Sequence, residues 1–191
     1  FTNKLEAFYE PIRPENGGTC TLVHGDLRGD NLFFCPESKA YPNGWLTIDF
    51  QLMTRGPIPS DLAYLMNTGT VLPEVYDPSN RDKIMARFFE AFMDQTSLYK
   101  QYTYEQFRKE YMVMSTVLLI YYIGFGANIW QAGLNNEQAS RVEMGDKGET
   151  EADLTPEERR QRMWWRKATA NFRVTFKDYG VYEQLNAMPD N

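Results

Sequence analysis

The sequence predicts an α+β fold that is mostly helical, with short strands in its first third and about four helices after them. Short apolar runs separated by turn residues fill residues 19–59, whereas apolar residues recur at helical spacing through residues 60–191. The chain has 191 residues, of which 42% are hydrophobic and 15% are aromatic, so it can bury one good core. We therefore expect a single domain.

Residues 1–18 are predicted to hold the end of a helix and an exposed linker. Phe8 and Tyr9 suit the last turn of an amphipathic helix, and Pro11 then ends it. Residues 15–18, with the sequence Glu-Asn-Gly-Gly, have the composition of a turn. The first strand is expected directly after this turn.

The predicted strands form one small antiparallel sheet. Thr19–Val23 and Leu32–Phe34 are expected to be strands that the polar stretch between them joins like a hairpin. Pro42-Asn43-Gly44 is a tight-turn signal, so the second strand is also expected to pair with the apolar run Trp45–Phe50. Asp49 is then predicted to lie at the end of a buried strand.

Residues 60–191 are predicted to be helical apart from one loop. A loop at Gly56–Pro59 leads into the first helix, and the polar, glycine-containing stretch 135–153 is expected to be a mobile surface loop. Thr103 and Thr155 each begin a capping box, the second with Pro at the first helical position. The helices are expected to start at Ser60 as N-cap, to span Asp82–Phe92, to run from Thr103 toward Trp130, and to run from Thr155 through Arg173.

Charge and cysteine content limit the partners and the compartment. Lys and Arg together number 20 against 26 for Asp and Glu, and no long basic run follows a phosphate backbone, so nucleic acid is not expected as a partner. Cys20 and Cys35 have neither the spacing of a metal site nor the density of a disulfide scaffold. Reduced thiols are favoured over a disulfide, and the cytoplasm or another reducing compartment is expected.

One stretch raises the question of a membrane span. Residues 111–136 carry no charge, and Met112–Ile123 is strongly apolar. The continuously apolar part is nevertheless shorter than the roughly 20 residues that a bilayer requires. A buried core helix is therefore favoured over membrane attachment.

The polar stretch after the first strand carries the strongest functional signal. His24-Gly25-Asp26 begins an H-G-D-x-x-x-x-N pattern that ends at Asn31, and Asp49 stands eighteen residues later in Ile48-Asp49-Phe50-Gln51. Phosphoryl transfer from ATP requires a carboxylate near the acceptor hydroxyl and oxygen ligands for Mg²⁺. Asp26 on a constrained loop can accept the proton, while Asn31 and Asp49 on paired strands can meet at one cation.

Three segments together resemble the aminoglycoside phosphotransferase and choline kinase superfamily, in its ecdysteroid-kinase-like (CHK kinase-like) branch. Val23–Asn31, Trp45–Gln51 and Gly56–Tyr64 match the HGD, IDF and DLAY motifs of that superfamily, in the same order. The resemblance implies a protein-kinase-like C-terminal lobe and the use of ATP and Mg²⁺. It also implies a small molecule with a hydroxyl group as acceptor.

Carried over by position, the resemblance implies a role for the polar residues of these motifs. Asp26 is implied as the catalytic base. Arg28 is implied to stabilise transition-state charge, although a surface ion pair with Asp30 is an equal alternative. The other implied residues are His24 and Asp61, which support the loop, and Asn31 and Asp49, which bind Mg²⁺. The resemblance assigns no residue of this chain to the nucleotide itself.

The sequence also departs from the pattern of that superfamily. Such kinases carry an N-terminal lobe with a glycine-rich flap and a Lys that grips the phosphates, and the 23 residues before His24 hold neither. The start at Phe1 has no feature of a natural beginning, so we expect part of something longer. Two hypotheses follow: the C-terminal lobe of a small-molecule kinase, inactive in isolation, or a non-catalytic pseudokinase-like lobe that serves as a subunit of a larger assembly.

Overall fold

The computed structural model describes residues 2–37, 39–68, 70–72, 76–97, 100–133 and 155–188. These residues form six α-helices and four short strands, joined in part by single-turn 3-10 helices. The helices are α1 (Thr2–Tyr9), α2 (Ser60–Asn67), α3 (Pro78–Asp94), α4 (Tyr104–Gly133), α5 (Pro156–Asp178) and α6 (Val181–Ala187). The strands are β1 (Cys20–Val23), β2 (Leu32–Phe34), β3 (Trp45–Thr47) and β4 (Thr54–Pro57). The fold is mostly helical with a small antiparallel component, as the sequence predicts.

The strands form two separate two-stranded antiparallel sheets instead of the one sheet expected. β2 pairs with β3 across the turn at Pro42–Gly44, with Phe34 opposite Trp45, which confirms the hairpin predicted there. β1 pairs with β4, with Val23 opposite Thr54. The predicted hairpin of β1 with β2 is therefore wrong.

β4 occupies part of the stretch that was expected to be a loop, Gly56–Pro59. Pro57 has no N–H group, but proline is tolerated on an edge strand, and both strands of a two-stranded sheet are edges. A Cβ atom on Gly56 would lie only 3.0 Å from Cγ2 of Val23. The missing side chain of Gly56 therefore lets β4 approach β1 closely.

The starts of α2 and α3 depend on different polar contacts from those predicted. α2 begins at Ser60, as expected, but the Ser60 hydroxyl donates to the Pro57 carbonyl oxygen at 2.6 Å instead of capping the helix. α3 begins before the predicted Asp82 because Asp77 caps it, accepting at Oδ1 from the Ser79 N–H at 2.9 Å. The hydrogen bond from the Ser79 hydroxyl lowers the pKa of Asp77.

The two predicted capping boxes mark the starts of α4 and α5. Thr103 Oγ1 accepts from the Gln106 N–H at 3.1 Å, which confirms the N-cap of α4. The Gln106 side chain does not complete the box but donates to Thr19 Oγ1 and Glu110 Oε1, both at 3.3 Å. Pro stands first in α5, as expected, and both helices end beyond the predicted residues. The loop predicted at 135–153 lies outside the described residues.

The main hydrophobic core forms around α2. Ala63 and Met66 of α2 are fully buried and pack with Met85 of α3, Phe107 of α4 and Phe172 of α5. A second cluster joins α1 and the turn after it to α4 and α6 through Phe8, Ile12, Met112, Val113, Val181 and Leu185. α4 contributes to both clusters, and within the described part of the chain no helix has the length and apolar character to cross a bilayer.

A buried polar network lies behind α2 and joins it to α4 and α5. Asn67 Nδ2 donates to Ser115 Oγ at 3.0 Å, and Asn67 Oδ1 accepts from the hydroxyls of Tyr76 and Thr175 at 2.8 and 3.1 Å. The Tyr76 and Tyr111 hydroxyls are 3.0 Å apart. All five side chains are buried. A satisfied network of this kind fixes one arrangement of the helices that contribute to it.

Candidate active site

The residues His24–Asn31, here called the HGD loop, connect β1 with β2. Gly25 has a φ of +83°, and a Cβ atom there would lie 2.4 Å from the carbonyl oxygen of Leu52. The HGD loop therefore packs directly on the backbone of the 3-10 turn Phe50–Leu52. Glycine at position 25 permits both the backbone conformation and the contact.

Asp61 fastens the beginning of the HGD loop to the start of α2. Its Oδ2 accepts from the His24 N–H at 2.7 Å, and its Oδ1 accepts from the Gly25 N–H at 3.0 Å. Both carboxylate oxygens thus accept from the amides of two consecutive residues, which lie 37 and 36 positions before Asp61 in the chain. Because α2 is fixed in the core, this pair of charge-assisted hydrogen bonds holds the loop from behind.

The His24 ring links the HGD loop to the backbone after β3. His24 is 7% exposed, and its Nε2 lies 2.8 Å from the carbonyl oxygen of Ile48. Its Nδ1 accepts from the Asp26 N–H at 3.3 Å, so the ring proton belongs on Nε2, which donates to Ile48. The Phe50 ring packs against the imidazole at 4.8 Å between centroids. His24 therefore orients Asp26 and the residues before Asp49 at once.

Asp26 and Asn31 lie against each other at the two ends of the loop. Asn31 Nδ2 donates to the Asp26 backbone oxygen at 2.9 Å and to Asp26 Oδ2 at 3.1 Å. Asp26 and Asn31 are 9% and 4% exposed, so the contact between their side chains is sheltered from water. With the amide nitrogen turned toward Asp26, Asn31 Oδ1 takes no part in these bonds and can serve another partner.

Arg28 lies between the two carboxylates of the loop. Its Nε is 3.5 Å from Asp26 Oδ2, and its Nη1 is 3.9 Å from Asp30 Oδ2. The side chain of Arg28 is 44% exposed and that of Asp30 is 84% exposed. Both roles predicted for Arg28, stabilising transition-state charge and forming a surface ion pair, are compatible with this geometry. Arg28 is close to Asp26 and also forms an ion pair with Asp30.

Asp49 follows β3 but does not end a buried strand. β3 stops at Thr47, and Asp49 is exposed with a φ of +64°, so the expectation of a buried strand end is wrong. The intervening Ile48 donates its N–H to the Asn31 carbonyl oxygen at 3.0 Å and accepts from His24. The backbone beside Asp49 is thus hydrogen-bonded to both ends of the HGD loop.

The oxygen donors of Asn31 and Asp49 are of the kind that suits a hard cation. Among the described residues no group of three or more His, Cys, Asp or Glu side chains is placed to hold a metal ion. The predicted pair consists of one amide, Asn31, and one carboxylate, Asp49. Mg²⁺ is commonly bound by one or two carboxylates together with phosphate oxygens and water, so a pair of oxygen donors fits this cation and not zinc.

Sequence reasoning missed an exposed apolar surface around the HGD loop. Phe34 is 82% exposed and Trp45, directly opposite it in the hairpin, is 56% exposed. Most of the exposed large apolar side chains of the described residues belong to this part of the chain. We call them the exposed aromatic surface: Leu22, Phe33, Phe34, Tyr41, Trp45, Ile48, Phe50, Leu52 and Met53. The signal was present in the apolar runs of β2 and β3, but the prediction took the run Trp45–Phe50 to be a buried strand.

A further contact to the loop was also missed. Gly29 donates its N–H to Thr70 Oγ1 at 2.8 Å, and the two residues are 41 positions apart. No local pattern in the sequence connects them.

Comparison with known families agrees with this arrangement. The model of the ecdysteroid kinase-like family matches residues 1–101, which is more than half of the 191 residues. The chain therefore belongs to the ecdysteroid kinase-like family. The matched region includes the HGD loop, Asp49 and Asp61. A search of curated proteins found no match, and a search of solved structures found none either.

Proposed function

We propose that this chain is the base-bearing and metal-binding lobe of an ATP-dependent small-molecule kinase. In the proposed reaction, the γ-phosphoryl group of ATP passes to a hydroxyl group of a small acceptor. The observation that carries this proposal is the sheltered Asp26 carboxylate, held between the Asn31 amide and the Arg28 guanidinium. A carboxylate fixed in this way can accept a proton without first being ordered.

Asp26 is proposed as the general base. As the acceptor O–H gives its proton to an Asp26 carboxylate oxygen, the acceptor oxygen bonds to the γ-phosphorus. The bond from that phosphorus to the β,γ-bridging oxygen breaks, and ADP leaves with the electron pair. Arg28, which lies 3.5 Å from Asp26, is proposed to stabilise the negative charge on the transferred group.

Asn31 and Asp49 are proposed to hold Mg²⁺. The Asn31 amide offers Oδ1, because its nitrogen is engaged by Asp26. Asp49 offers a carboxylate on the backbone segment that Ile48 ties to the HGD loop. When bound, the cation would neutralise charge on the phosphates of ATP.

The groups that grip the nucleotide are proposed to come from a second lobe or subunit. A glycine-rich flap and a phosphate-binding Lys are not evident in the 191 residues. The exposed aromatic surface includes Ile48 and Phe50, which flank Asp49, and we propose that these exposed apolar side chains contact such a lobe. This placement would bring the nucleotide next to Asn31 and Asp49.

Replacement of Asp26 tests the kinase proposal. In the complete protein that contains this chain, Asp26→Asn should lower ATP-dependent phosphorylation of small alcohols by about 10²–10⁴-fold, since a general base contributes that much. The matched control is Asp30→Asn, which removes an exposed carboxylate from the same loop and should leave the rate nearly unchanged. An undiminished rate in Asp26→Asn would contradict the assignment.

A second candidate function is that of a non-catalytic, pseudokinase-like subunit of a larger assembly. Phe34 and Trp45 favour it, because they lie opposite each other in the hairpin with 82% and 56% of their surface exposed, and exposed apolar patches mark protein interfaces. Titration calorimetry with Mg-ATP separates the two candidates. Tight binding that Asp49→Ala removes supports the kinase, whereas no binding to the complete protein supports the subunit.

We also propose that the protein works in a reducing compartment. Of the two cysteines, Cys20 on β1 and Cys35 just after β2, Cys20 accepts at Sγ a hydrogen bond from the Arg55 guanidinium at 3.1 Å. A thiol kept reduced is compatible with this contact, and the two cysteines lie on strands of different sheets or just after them.

A further inference from the structure

Two side chains from outside the HGD loop, Asp61 and Thr70, accept hydrogen bonds from its backbone at separate places. Asp61 binds the amides at its beginning, His24 and Gly25. The far half of the loop, which carries Arg28, Gly29 and Asp30, is exposed and donates no hydrogen bond to Asp61 in the described structure. That half therefore requires an anchor of its own to keep a single geometry.

Thr70 supplies this anchor. Gly29 begins the single-turn 3-10 helix Gly29–Asn31, and the first N–H groups of such a turn have no acceptor within it. The Gly29 N–H donates to Thr70 Oγ1 at 2.8 Å. A Cβ atom on Gly29 would lie 3.1 Å from Thr70 Cγ2, so the two residues are in close contact. The bond fixes the turn that ends at Asn31.

Asn171 in α5 holds the segment that carries Thr70. Its Nδ2 donates to the Met66 carbonyl oxygen at 2.8 Å and to the Val71 carbonyl oxygen at 2.9 Å. One buried amide thus binds backbone groups on both sides of Thr70. These contacts span 105 and 100 residues of sequence, so they come from the fold and not from local structure.

The backbone of Asn171 is joined to the network behind α2. Thr175 Oγ1 lies within hydrogen-bond distance of the Asn171 backbone oxygen, at 3.2 Å, and of Asn67 Oδ1, at 3.1 Å. Asn171, Thr175 and Asn67 are fully buried. The part of α5 that carries this amide is therefore held in the core by the same buried network.

We propose that Thr70 and Asn171 are positioning residues that set the far half of the HGD loop relative to Asp26. This inference rests on the proposed kinase function. Through Gly29, Thr70 places the Arg28 guanidinium on one side and the Asn31 amide on the other. Asn171 extends this control to α5, so the last long helix of the molecule helps to define the geometry of the site.

Amide hydrogen exchange in the 191-residue chain tests the positioning directly, without requiring activity. Thr70→Val keeps the shape of the side chain but removes the acceptor, so the Gly29 amide should exchange about tenfold faster, as for the loss of one hydrogen bond. Thr70→Ser keeps the acceptor and should restore slow exchange. The His24 and Gly25 amides should be unchanged in both variants, since Asp61 holds them.

Asn171→Ala should accelerate exchange at Gly29 in the same way from a distance. If this variant does not fold, the variants Thr70→Val and Thr70→Ser still provide the test, because Thr70 is exposed. Unchanged exchange at Gly29 in Thr70→Val would overturn the proposal. Equal acceleration at Gly29, His24 and Gly25 would also overturn it, because that result reports a general loss of stability.

The kinetic test separates this inference from the proposed function. In the complete protein, Thr70→Val should lower kcat several-fold with little change in KM for ATP, and Thr70→Ser should recover it. If the unaltered protein transfers no phosphate, the proposed function fails while the exchange result stands. If it is active and Thr70→Val has the normal kcat, the positioning role fails.

Discussion

Two residues of the candidate site adopt positive φ, and each shapes one side of it. Gly25 has a φ of +83° in the HGD loop, and Asp49 has a φ of +64° after β3. Among the described residues, Asp49 is the non-glycine residue with positive φ. Asp tolerates this conformation better than most residues, yet it remains strained. Strain is often retained at functional positions, and Asp49 is the proposed metal ligand.

Gly25→Ala should distort the loop as well as strain it. The φ of +83° costs an L-residue about 1–2 kcal/mol, and the contact of 2.4 Å with the Leu52 oxygen adds overpacking of about 1–3 kcal/mol. Gly17→Ala is the matched control, because Gly17 has a φ of +86° with nothing within 4 Å of an added Cβ. Urea denaturation should show the larger loss for Gly25→Ala. Equal losses would mean that the Leu52 contact relaxes without cost.

Proximity between proposed site residues was predictable from the sequence where they lie in one contiguous motif. Asp26 and Asn31 are five positions apart and hydrogen-bonded, so the H-G-D-x-x-x-x-N spacing carries their geometry. The Thr70 and Asn171 contacts could not be predicted in this way. They join residues 41 and more than 100 positions apart, and their side chains, a hydroxyl and an amide, occur throughout the chain. Only the fold brings them to the loop.

At the scale of elements, residues at both ends of the helix α2 support the HGD loop. Asp61 lies in its first turn, and Thr70 follows its last residue, Asn67. Because α2 packs against α4 and α5 on its other side, the loop receives the rigidity of the core. The short sheets contribute less, since a two-stranded sheet is marginal by itself.

Element starts were predictable where a local cap or turn defined them. The Pro42–Gly44 turn correctly predicted the pairing of β2 with β3, and Thr103 correctly predicted the start of α4. The pairing of β1 with β4 was missed because the partner lies beyond both the HGD loop and the hairpin, and because Pro57 argues against a strand. Asp77 followed by Pro78 was a usable cap signal for α3.

The buried Glu110 of α4 should make stability depend on pH. Burial raises the pKa of Glu110, against the hydrogen bonds from Tyr102, Gln106 and the Thr19 N–H that lower it. Its folded-state pKa therefore exceeds its unfolded value, so the folded state binds the proton more tightly. The stabilisation is complete below the unfolded pKa and is lost as the pH rises through the folded pKa.

Glu110→Gln should remove this contribution. Relative to the unaltered chain, the free energy of unfolding of the variant should increase with pH above about 4.3, by at most about 1.4 kcal/mol per pH unit. Denaturation curves at several pH values measure the difference. Glu105→Gln, in the exposed first turn of the same helix, is the control. The same pH dependence in both variants would show that Glu110 is not its source.

At the scale of the whole molecule, distant segments are joined by buried polar contacts as well as by the apolar core. Arg81 of α3 is fully buried and pairs with Asp178 at the end of α5, 97 residues later. Its guanidinium lies 4.7 Å from the Tyr179 ring centroid and 3.3 Å from Asp82 Oδ1. Burial alone would lower the pKa of Arg81, but the hydrogen bond with Asp178 raises it above its ordinary value.

This pair should respond unequally to the loss of its two members. Among the described residues, Asp178→Ala leaves the buried Arg81 cation with Asp82 as its one ion-pair partner and should cost about 3–5 kcal/mol of unfolding free energy. Arg81→Met leaves a carboxylate whose side chain is 33% exposed and can be hydrated, so its cost should be smaller. Arg87→Met, on the same helix with a side chain that is 86% exposed, should be nearly neutral. Guanidinium denaturation of the three variants measures their free energies of unfolding. A larger decrease for Arg81→Met than for Asp178→Ala would contradict this prediction, because it would mean that packing of the arginine side chain, and not its charge, joins α3 to α5.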